Sequence, residues 1–414
     1  MSKHSLRFTK LNISAFSASI MLLTLGAAAD IGQSVVTIIR KQVIENGFAR
    51  SATLYRNPDE SLQEVGKVIF ESVKLSLNGD ISCVTCHQDK FNSEDGLPNA
   101  AAVGGKGVGP ERLMSGAAML PRKTLAFWGR GGKDFNVFFW DGRVANQDGR
   151  IVSQFGNAVP SDDTLVVADH LPVVEIREML DDGDPAIAAR KIESVSDSQP
   201  VYQAIAKRLV AGEPEASAKL AQYLHKTTDQ LTYTDFARSL AAHIRSKFRI
   251  KETKLERFAY ENGTLSESEL RGALVFYGNG KCVTCHNGPY FSDFKFHTVA
   301  VPELGFGKNG FGIDYGRYNV TFDTKDLYRF RTPPLFNTAK NSFYTHSGSI
   351  TKLQDAITAH FDPLGLVDLK NMTALQRNDF YRRVTYSQET AAQIGFLTSK
   401  DVDDLVSFLK TLSF

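Results

Sequence analysis

The sequence has few cysteines, almost no net charge and little strand-like alternation. Only 4 cysteines occur among the 414 residues, and all of them fall in two short motifs, so none remains for another site. The formal net charge of +2 excludes a strongly basic surface and gives no indication of a nucleic-acid partner. After the first 29 residues, no apolar run is long enough to predict a membrane span. The scarcity of alternating segments favours a mostly α fold.

The four cysteines lie in one five-residue string, C-V-T-C-H, which occurs at residues 83–87 and again at 282–286. This is the C-x-x-C-H attachment motif of haem c. Two cysteines at this spacing can form thioethers with both vinyl groups of one haem, and the histidine that follows can bind the iron from one face. A zinc site would need further ligands nearby, and a disulfide would not need histidine in the same place twice. The sequence therefore predicts two covalently bound haem c groups, with these residues holding them: Cys83, Cys86, His87, Cys282, Cys285 and His286.

Residues 1–29 have the pattern of a secretory signal peptide. Lys3, Arg7 and Lys10 precede an apolar run over residues 13–25, small residues follow, and no acidic residue is present. An uncleaved anchor is the alternative. Because haem c is attached outside the bacterial cytoplasm, this segment and the two motifs together predict a periplasmic protein.

A second pattern repeats upstream of each haem motif. Gly66 and Phe70 precede the first motif, and Gly272 and Phe276 precede the second. In each pair the two residues are four apart and share a helical face. A Gly/Asn turn then interrupts the pattern before the cysteines. Two tandem cytochrome c-like domains, residues 30–240 and 241–414, explain this repeat most simply, each with one covalent haem c.

Helical signals dominate the rest of the chain. The segment that begins at Ser266 has a capping box with Glu269. The last residues, 402–412, form an amphipathic pattern of the kind that closes a cytochrome c domain. From about Pro185 to Arg249, between the domains, the pattern is helical and polar. We expect a mostly α fold with long irregular loops, in which the haems replace part of the hydrophobic core.

The ligand on the far side of each iron decides between electron transfer and catalysis. A haem with two strong axial ligands passes electrons, whereas an open iron can bind peroxide. The residues available after position 29, apart from the motif histidines, are His170, His225, His243, His297, His346, His360, Met114, Met119, Met179 and Met372.

From about Glu64 to the C-terminus, several short motifs follow one another in a recognisable order. They are L-N-G-D-I-S at 77–82, F-W-D-G-R at 139–143, E-M at 178–179, G-P-Y-F-S-D at 288–293, F-R-T-P-P-L at 330–335 and F-Y-T-H-S-G-S at 343–349. In this order and spacing, the sequence resembles the bacterial di-haem cytochrome c peroxidase and MauG family.

The resemblance implies a role for each matching residue. In relatives the N-terminal haem reacts with hydrogen peroxide and the C-terminal haem transfers electrons. Trp140 then matches the electron bridge between the haems. Glu178 matches the distal acid, which can move a proton between the two peroxide oxygens. A shifted alignment would place Glu175 at the position of this acid instead. Gln154 is a loose match to a distal glutamine.

The sequence departs from the peroxidases at both distal positions. Relatives have a histidine about twenty residues after the first motif, whereas residues 103–110 contain none, so the first haem is expected to be open without reductive activation. At the second haem, relatives place Met or Tyr where the alignment puts His360. Two histidine ligands would lower the potential of that haem relative to His/Met ligation. The alternatives for this ligand are His297, His346 and a methionine.

A third departure concerns calcium, which many relatives hold between the domains with an asparagine in a P-R-N segment. Residues 121–123 here read P-R-K, and a charged lysine cannot ligate calcium, so only backbone carbonyls and water could hold an ion.

The resulting prediction is a periplasmic di-haem peroxidase that receives electrons from a small cytochrome c or cupredoxin. The alternatives are a MauG-like enzyme that oxidises side chains of a partner protein and a non-enzymatic di-haem electron carrier. Homodimerisation is compatible with each.

Overall fold

The computed structural model describes residues 33–181, 198–391 and 393–414. The predicted signal peptide, residues 1–29, lies outside the described residues. The fold is mostly helical, as the sequence predicts. In chain order the helices of the described residues are α1 (33–45), α2 (Ser51–Leu54), α3 (Glu60–Glu71), α4 (Cys83–Cys86), α5 (Pro110–Met114), α6 (Thr164–Asp169), α7 (Gln199–Gly212), α8 (Pro214–Tyr223), α9 (Tyr233–Lys247), α10 (Lys254–Tyr260), α11 (Glu267–Tyr277), α12 (Tyr318–Thr321), α13 (Leu353–Thr358), α14 (Ala374–Ala391) and α15 (Ser399–Lys410). None of these helices combines the length and the apolarity that a bilayer crossing requires.

The strands are short and lie in two small antiparallel sheets. One sheet contains β1 (Val137–Phe138), β2 (Val144–Gln147) and β3 (Arg150–Ser153), in that order. The other contains β4 (Phe296–His297) and β5 (Phe330–Arg331). The turn between β2 and β3 places Asp148 and Gly149 at φ 51° and 86°, as a tight two-residue hairpin requires.

Helix α3 packs directly on α9 through a glycine. A Cβ added to Gly66 would overlap the carbonyl oxygen of Ser239 and lie 2.9 Å from His243 Cβ, so no side chain fits there. One turn later, Phe70 is fully buried, with its ring centroid 5.9 Å from that of Phe248. The glycine brings the two backbones together, and the phenylalanine fills the adjoining core.

Helices α11 and α15 repeat this contact in the second half of the chain. A Cβ on Gly272 would overlap the carbonyl oxygen of Asp404 and lie 2.8 Å from Phe408 Cβ. Phe276 then packs on Phe408 with ring centroids 5.1 Å apart. The Gly-x-x-x-Phe pattern therefore serves the same type of helix contact twice, although the division into two domains stays a prediction.

Helix α9 comes from the segment that was expected to be polar and to lie between the domains. Residues 185–197 of this segment lie outside the described residues; the rest is mostly helical as predicted, but α9 buries most of its length, including Phe236 and Leu240, against its neighbours. The predicted boundary between residues 240 and 241 falls inside this helix. A boundary in the non-helical residues 248–253 would keep α9 with α3.

The chain before α3 packs against the second half of the molecule. In α1, the Arg40 guanidinium donates to the Phe258 carbonyl at 2.9 Å. The Gly288 amide donates to the Asn46 carbonyl at 2.8 Å, and Phe48 packs on Phe291 with ring centroids 5.3 Å apart. The N-terminal segment therefore contacts the region of the second C-x-x-C-H motif.

Replacement of Gly272 by Ala should destabilise the protein by about 1–3 kcal/mol, because the methyl group has to push α15 away from α11. Urea unfolding of the haem-loaded protein measures this change. A matched control is Gly212→Ala at the end of α7, where the methyl group would meet only the flexible Lys74 side chain. Equal stability of the two variants would contradict the close backbone contact.

Candidate functional site

The turn between β1 and β2 carries the W-D-G-R residues and lies between the two halves of the chain. Phe139, just before it, adopts φ 65°, and Gly142 adopts φ 64°. A Cβ on Gly142 would overlap the ring of Phe296, so this position accepts only glycine. The turn thereby brings Trp140, Asp141 and Arg143 against residues of the second half.

Asp141 is the buried centre of this turn. Its carboxylate accepts hydrogen bonds from Arg122 at 2.6 Å and from Arg143 at 2.8 Å. Arg122 also donates to both oxygens of Asp314, at 2.6 and 2.8 Å, and so joins the turn to the second half. Burial alone would raise the pKa of Asp141, but Arg143 and Arg122 hold it well below its usual range. The carboxylate therefore stays ionised and orients Arg143.

The second C-x-x-C-H motif borders a largely apolar cavity of about 250 Å³, whose lining includes Cys282, Cys285, His286, Trp140 and His360. His286 Nδ1 donates to the Phe291 carbonyl at 2.9 Å. His360 lies just after α13, and its Nδ1 donates to the Ala356 carbonyl, also at 2.9 Å.

The two carbonyl contacts determine which nitrogen of each imidazole is available. Because a carbonyl only accepts hydrogen bonds, Nδ1 carries the proton and Nε2 keeps a free lone pair. Burial lowers the pKa of His286 to about 4, and the neighbouring His360 contributes to this shift. Burial also lowers the pKa of His360. Two neutral imidazoles with free Nε2 atoms thus line one cavity, and each can donate a lone pair to a metal ion.

The two alternative histidines for this position have their Nε2 atoms engaged elsewhere. His297 Nε2 lies 2.9 Å from an oxygen of Asp293, and this contact raises the pKa of the histidine to about 9. His346 Nε2 lies 3.0 Å from Glu303, which also pairs with Arg383 at 2.7 Å. These contacts favour His360 over both alternatives.

His297 also belongs to the one cluster of potential metal ligands found among the described residues. Its partners there are Cys285 and Asp293. A histidine that is protonated at neutral pH is a poor metal ligand, and Cys285 belongs to a haem motif. The cluster therefore gives little support for a further metal ion.

The first C-x-x-C-H motif forms α4 and has similar local geometry. His87 Nδ1 donates to the Ser93 carbonyl at 3.0 Å, which leaves Nε2 free. Burial lowers the pKa of His87 to about 3, so the imidazole is neutral. The ring of Phe127 stacks on His87 with the centroids 3.6 Å apart. Burial raises the pKa values of the Cys83 and Cys86 thiols, which keeps them protonated.

A tight turn after α6 presents Glu178 to this motif. The Glu175 carbonyl accepts from the Glu178 amide at 3.2 Å, and Arg177 adopts φ 70°, which is unfavourable for a residue with a side chain. The Arg177 carbonyl accepts from the Val103 amide at 3.3 Å. This connects the turn to the segment 103–110, which contains no histidine.

The Glu178 carboxyl group has a pKa close to neutrality. Burial raises it to about 7, the Glu175 carboxylate adds to the shift, and Arg143 and Lys308 oppose it. The charge of Glu178 also contributes to the raised pKa values of Cys83 and Cys86. Glu178 is thus a better match than Glu175 for an acid whose charge acts on the haem-attachment cysteines. A group that titrates near pH 7 can both accept and return a proton.

Trp140 connects the surroundings of the two motifs. Its indole lines the cavity of the second motif, and its Nε1 donates to the Lys123 carbonyl at 3.1 Å. The buried Lys123 ammonium pairs with Glu94, seven residues after His87. A protein cation therefore occupies residue 123 of the P-R-K segment and is paired within the protein.

Lys308 and Arg143, to which the sequence assigned no role at this acid, both lower the pKa of Glu178 against the effect of burial. Lys308 lies in a glycine-rich loop, residues 304–313, and Gly305 and Gly307 adopt φ 79° and 67°. The clustered glycines were the only sequence signal for this loop. Gln154, the loose match to a distal glutamine, is solvent-exposed.

Both sites fit a covalently attached haem. Each offers two thiols without a disulfide partner and one neutral imidazole with a free Nε2. The second site adds a further imidazole on the same cavity, and the first adds a carboxyl group with a near-neutral pKa. The two motifs thus have the same attachment chemistry but different surroundings.

Comparison with known proteins gives a consistent result. Residues 60–264 match the family described as di-haem cytochrome c peroxidase. The chain is 22% identical to "Cytochrome-c peroxidase IdrP1" of Pseudomonas sp. (strain SCT) over 378 residues, which is 84% of this chain and 80% of the relative. It is 25% identical to "Methylamine utilization protein MauG" of Methylorubrum extorquens over 303 residues, 72% and 67% of the two chains.

The fold is also similar to that of a solved structure, the diheme peroxidase BthA from Burkholderia thailandensis. The TM-score is 0.62 at 19% sequence identity, and the match covers 89% of each chain.

Replacement of His360 by Ala should leave both haems attached but turn the C-terminal haem high-spin or hydroxide-bound, since one axial nitrogen is removed. Electron paramagnetic resonance of the oxidised protein measures this change. His297→Ala is the matched control and should leave the low-spin signal in place. A spectrum unaltered in the first variant and altered in the second would assign the ligand to His297.

Proposed function

Because the chain belongs to the di-haem cytochrome c peroxidase family, oxidoreductases that carry two c-type haems, we propose that it reduces hydrogen peroxide at the N-terminal haem. This haem would be held by Cys83, Cys86 and His87. The observation that carries the proposal is the position of Glu178, a proton donor and acceptor with a pKa of about 7 beside the first pair of cysteines.

The different surroundings of the two motifs support different functions for the two haems. When bound, the haems would supply the redox chemistry, which is peroxide reduction at one site and electron transfer at the other. The second cavity offers the imidazoles of both His286 and His360, which suits electron transfer. The first site offers His87 and, in place of a second histidine, the carboxyl group of Glu178.

Glu178 would act as the acid–base group. Its carboxylate would accept a proton from one oxygen of the peroxide and return it to the other, which would leave as water when the haems supply the electrons that break the O–O bond. Arg143 and Lys308 lower the pKa of Glu178 against the effect of burial and thereby keep part of it ionised near pH 7. Asp141 holds Arg143 in place for this role.

Trp140 would provide the route for electrons between the two haems. Its indole borders the second cavity, and its hydrogen bond to Lys123 fixes the ring toward the loop that follows His87. We also propose that each helix pair, α3–α9 and α11–α15, closes one cytochrome c-like domain. The periplasm is the proposed location, where the electron donor would be a small cytochrome c or a cupredoxin.

A second candidate is a MauG-like oxidation of side chains in a partner protein. The loop that brings Lys308 to Glu178 also exposes Phe306 and Phe311, whose exposed fractions are 44% and 83%. Exposed aromatic residues are frequent at protein interfaces, and these two lie on the loop that reaches the proposed peroxide site. The two candidates differ in the source of electrons, a soluble redox protein in one and side chains of the partner in the other.

The oxidised protein should contain one high-spin and one low-spin haem. The reason is that residues 103–110, which approach the Glu178 turn, carry no histidine that could bind the first iron. Electron paramagnetic resonance before and after peroxide addition tests this. Two low-spin signals, with no response to peroxide until the protein is reduced, would contradict an open first haem.

Glu178→Gln should slow the reaction with peroxide by about a hundredfold or more, because the proton acceptor is lost. In the native protein only the carboxylate form accepts a proton, so the rate should rise with pH through about 7 and then level off. This step should be absent from the variant's profile in stopped-flow measurements. Glu175→Gln is the control. If it abolished the reaction while Glu178→Gln did not, the neighbouring acid would have the role.

A further inference from the structure

Two buried arginines lie between the haem motifs without enough hydrogen-bond partners. Arg130 is 6% exposed, and its Nε and Nη2 atoms have no partner. Arg331 is 2% exposed, and its Nη1 atom has no partner. Neither forms an ion pair with any residue that the structure describes. Burial lowers the pKa of Arg130 to about 10 and that of Arg331 to about 9, but both remain charged at neutral pH.

Arg130 belongs to the surroundings of the first motif. Its guanidinium lies 4.5 Å from the ring centroid of Phe127, and Phe127 stacks on His87. Burial is the main cause of the lowered pKa of His87, and the charge of Arg130 lowers it further.

Arg331 belongs to the second cavity. It is among the residues that line this cavity, and its Nε donates to the Phe139 carbonyl at 3.1 Å, next to Trp140. Its backbone amide donates to the Trp140 carbonyl at 2.9 Å. The residue is therefore held by the same turn that positions the proposed electron bridge.

The two guanidinium groups approach each other across an aromatic pair. Arg130 lies 5.9 Å from the ring centroid of Phe138, Arg331 lies 5.7 Å from that of Phe135, and the two rings are 5.3 Å apart. The charge of Arg130 adds to the effect of burial in lowering the pKa of Arg331, so the two repel each other.

The acid whose charge acts on Arg130, Asp169, does not pair with it. Among the described residues the two form no ion pair, and burial raises the pKa of Asp169 well above its usual range, which the attraction of Arg130 does not reverse. Its Oδ2 atom also lacks a hydrogen-bond partner. A buried charge without a partner strongly destabilises a fold, so the two arginines require anions.

We propose that Arg130 and Arg331 form a carboxylate-binding site between the two haem pockets and bind one propionate from each haem. Arg130 takes a propionate of the N-terminal haem and Arg331 one of the C-terminal haem. Haem propionates are carboxylates, which match the planar guanidinium fork, and the free N–H groups can donate to them. The inference rests on the two haems alone and holds whether or not the protein reduces peroxide.

The site would tune the two haems separately. A positive charge beside a haem favours the reduced iron, which carries one charge less than the oxidised iron. Arg331→Gln should therefore lower the reduction equilibrium constant of the C-terminal haem by about tenfold, or 59 mV for a one-electron couple, and affect the N-terminal haem less. Arg130→Gln should produce the converse pattern. Spectroelectrochemical titration of the haem-loaded protein measures both haems.

Matched variants separate the proposed contact from a general charge effect. Arg257→Gln removes the same charge from the surface, where Arg257 pairs with Glu252, and should leave both potentials unchanged. Arg130→Lys and Arg331→Lys keep the charge but lose the bidentate contact. Each should therefore shift the reduction potential of its own haem less than the corresponding Gln variant does. If Arg130→Gln and Arg331→Gln also left both reduction potentials unchanged, the proposal would be overturned.

Two further measurements keep the proposal testable. If a free anion instead of a propionate filled the site, the native potentials would change when chloride is exchanged for sulfate, and this result would overturn the proposal. If the Gln variants fail to assemble, resonance Raman spectra of the Lys variants report the propionate-bending bands. A shifted band supports the contact, and a band identical to that of the native protein overturns it.

Discussion

The buried ion cluster around Asp141 is the interaction on which the arrangement of both sites depends. Asp141 binds Arg122 and Arg143, and Arg122 binds Asp314 in the second half of the chain. Removal of one member would leave buried charges unpaired, which is far more costly than the loss of a surface ion pair. Because the cluster holds the W-D-G-R turn in place, it sets Trp140 at the second cavity and Arg143 near Glu178.

The two C-x-x-C-H motifs are identical in sequence, so any difference between the two sites must come from their surroundings. At the second motif, α13 ends just before His360 and supplies a neutral imidazole with a free Nε2. At the first motif, the turn after α6 supplies Glu178. The second half also contributes Lys308 to the first site, and the W-D-G-R turn of the first half contributes Trp140 to the second cavity. Neither site is built from one half alone.

Several parts of the structure could be predicted from short patterns. The capping box at Ser266 begins α11, the amphipathic end of the chain forms α15, and the segment before His360 is helical. Each depends on contacts within a few residues, which a sequence shows directly. The partner of α3 could not be found in this way, because the contact between Gly66 and Ser239 joins residues far apart in the chain.

By itself, the sequence determined the attachment chemistry, since C-x-x-C-H contains the two thiols and the imidazole in one segment. It also indicated that α3 and α11 are similar helices, because Gly-x-x-x-Phe places the same two residue types on one helical face of each. Only the tertiary structure decided the charges around these groups. The near-neutral pKa of Glu178 and the unpartnered guanidinium groups of Arg130 and Arg331 follow from burial and from neighbours distant in sequence. Desolvation and Coulomb energies depend on position in three dimensions, which no local pattern records.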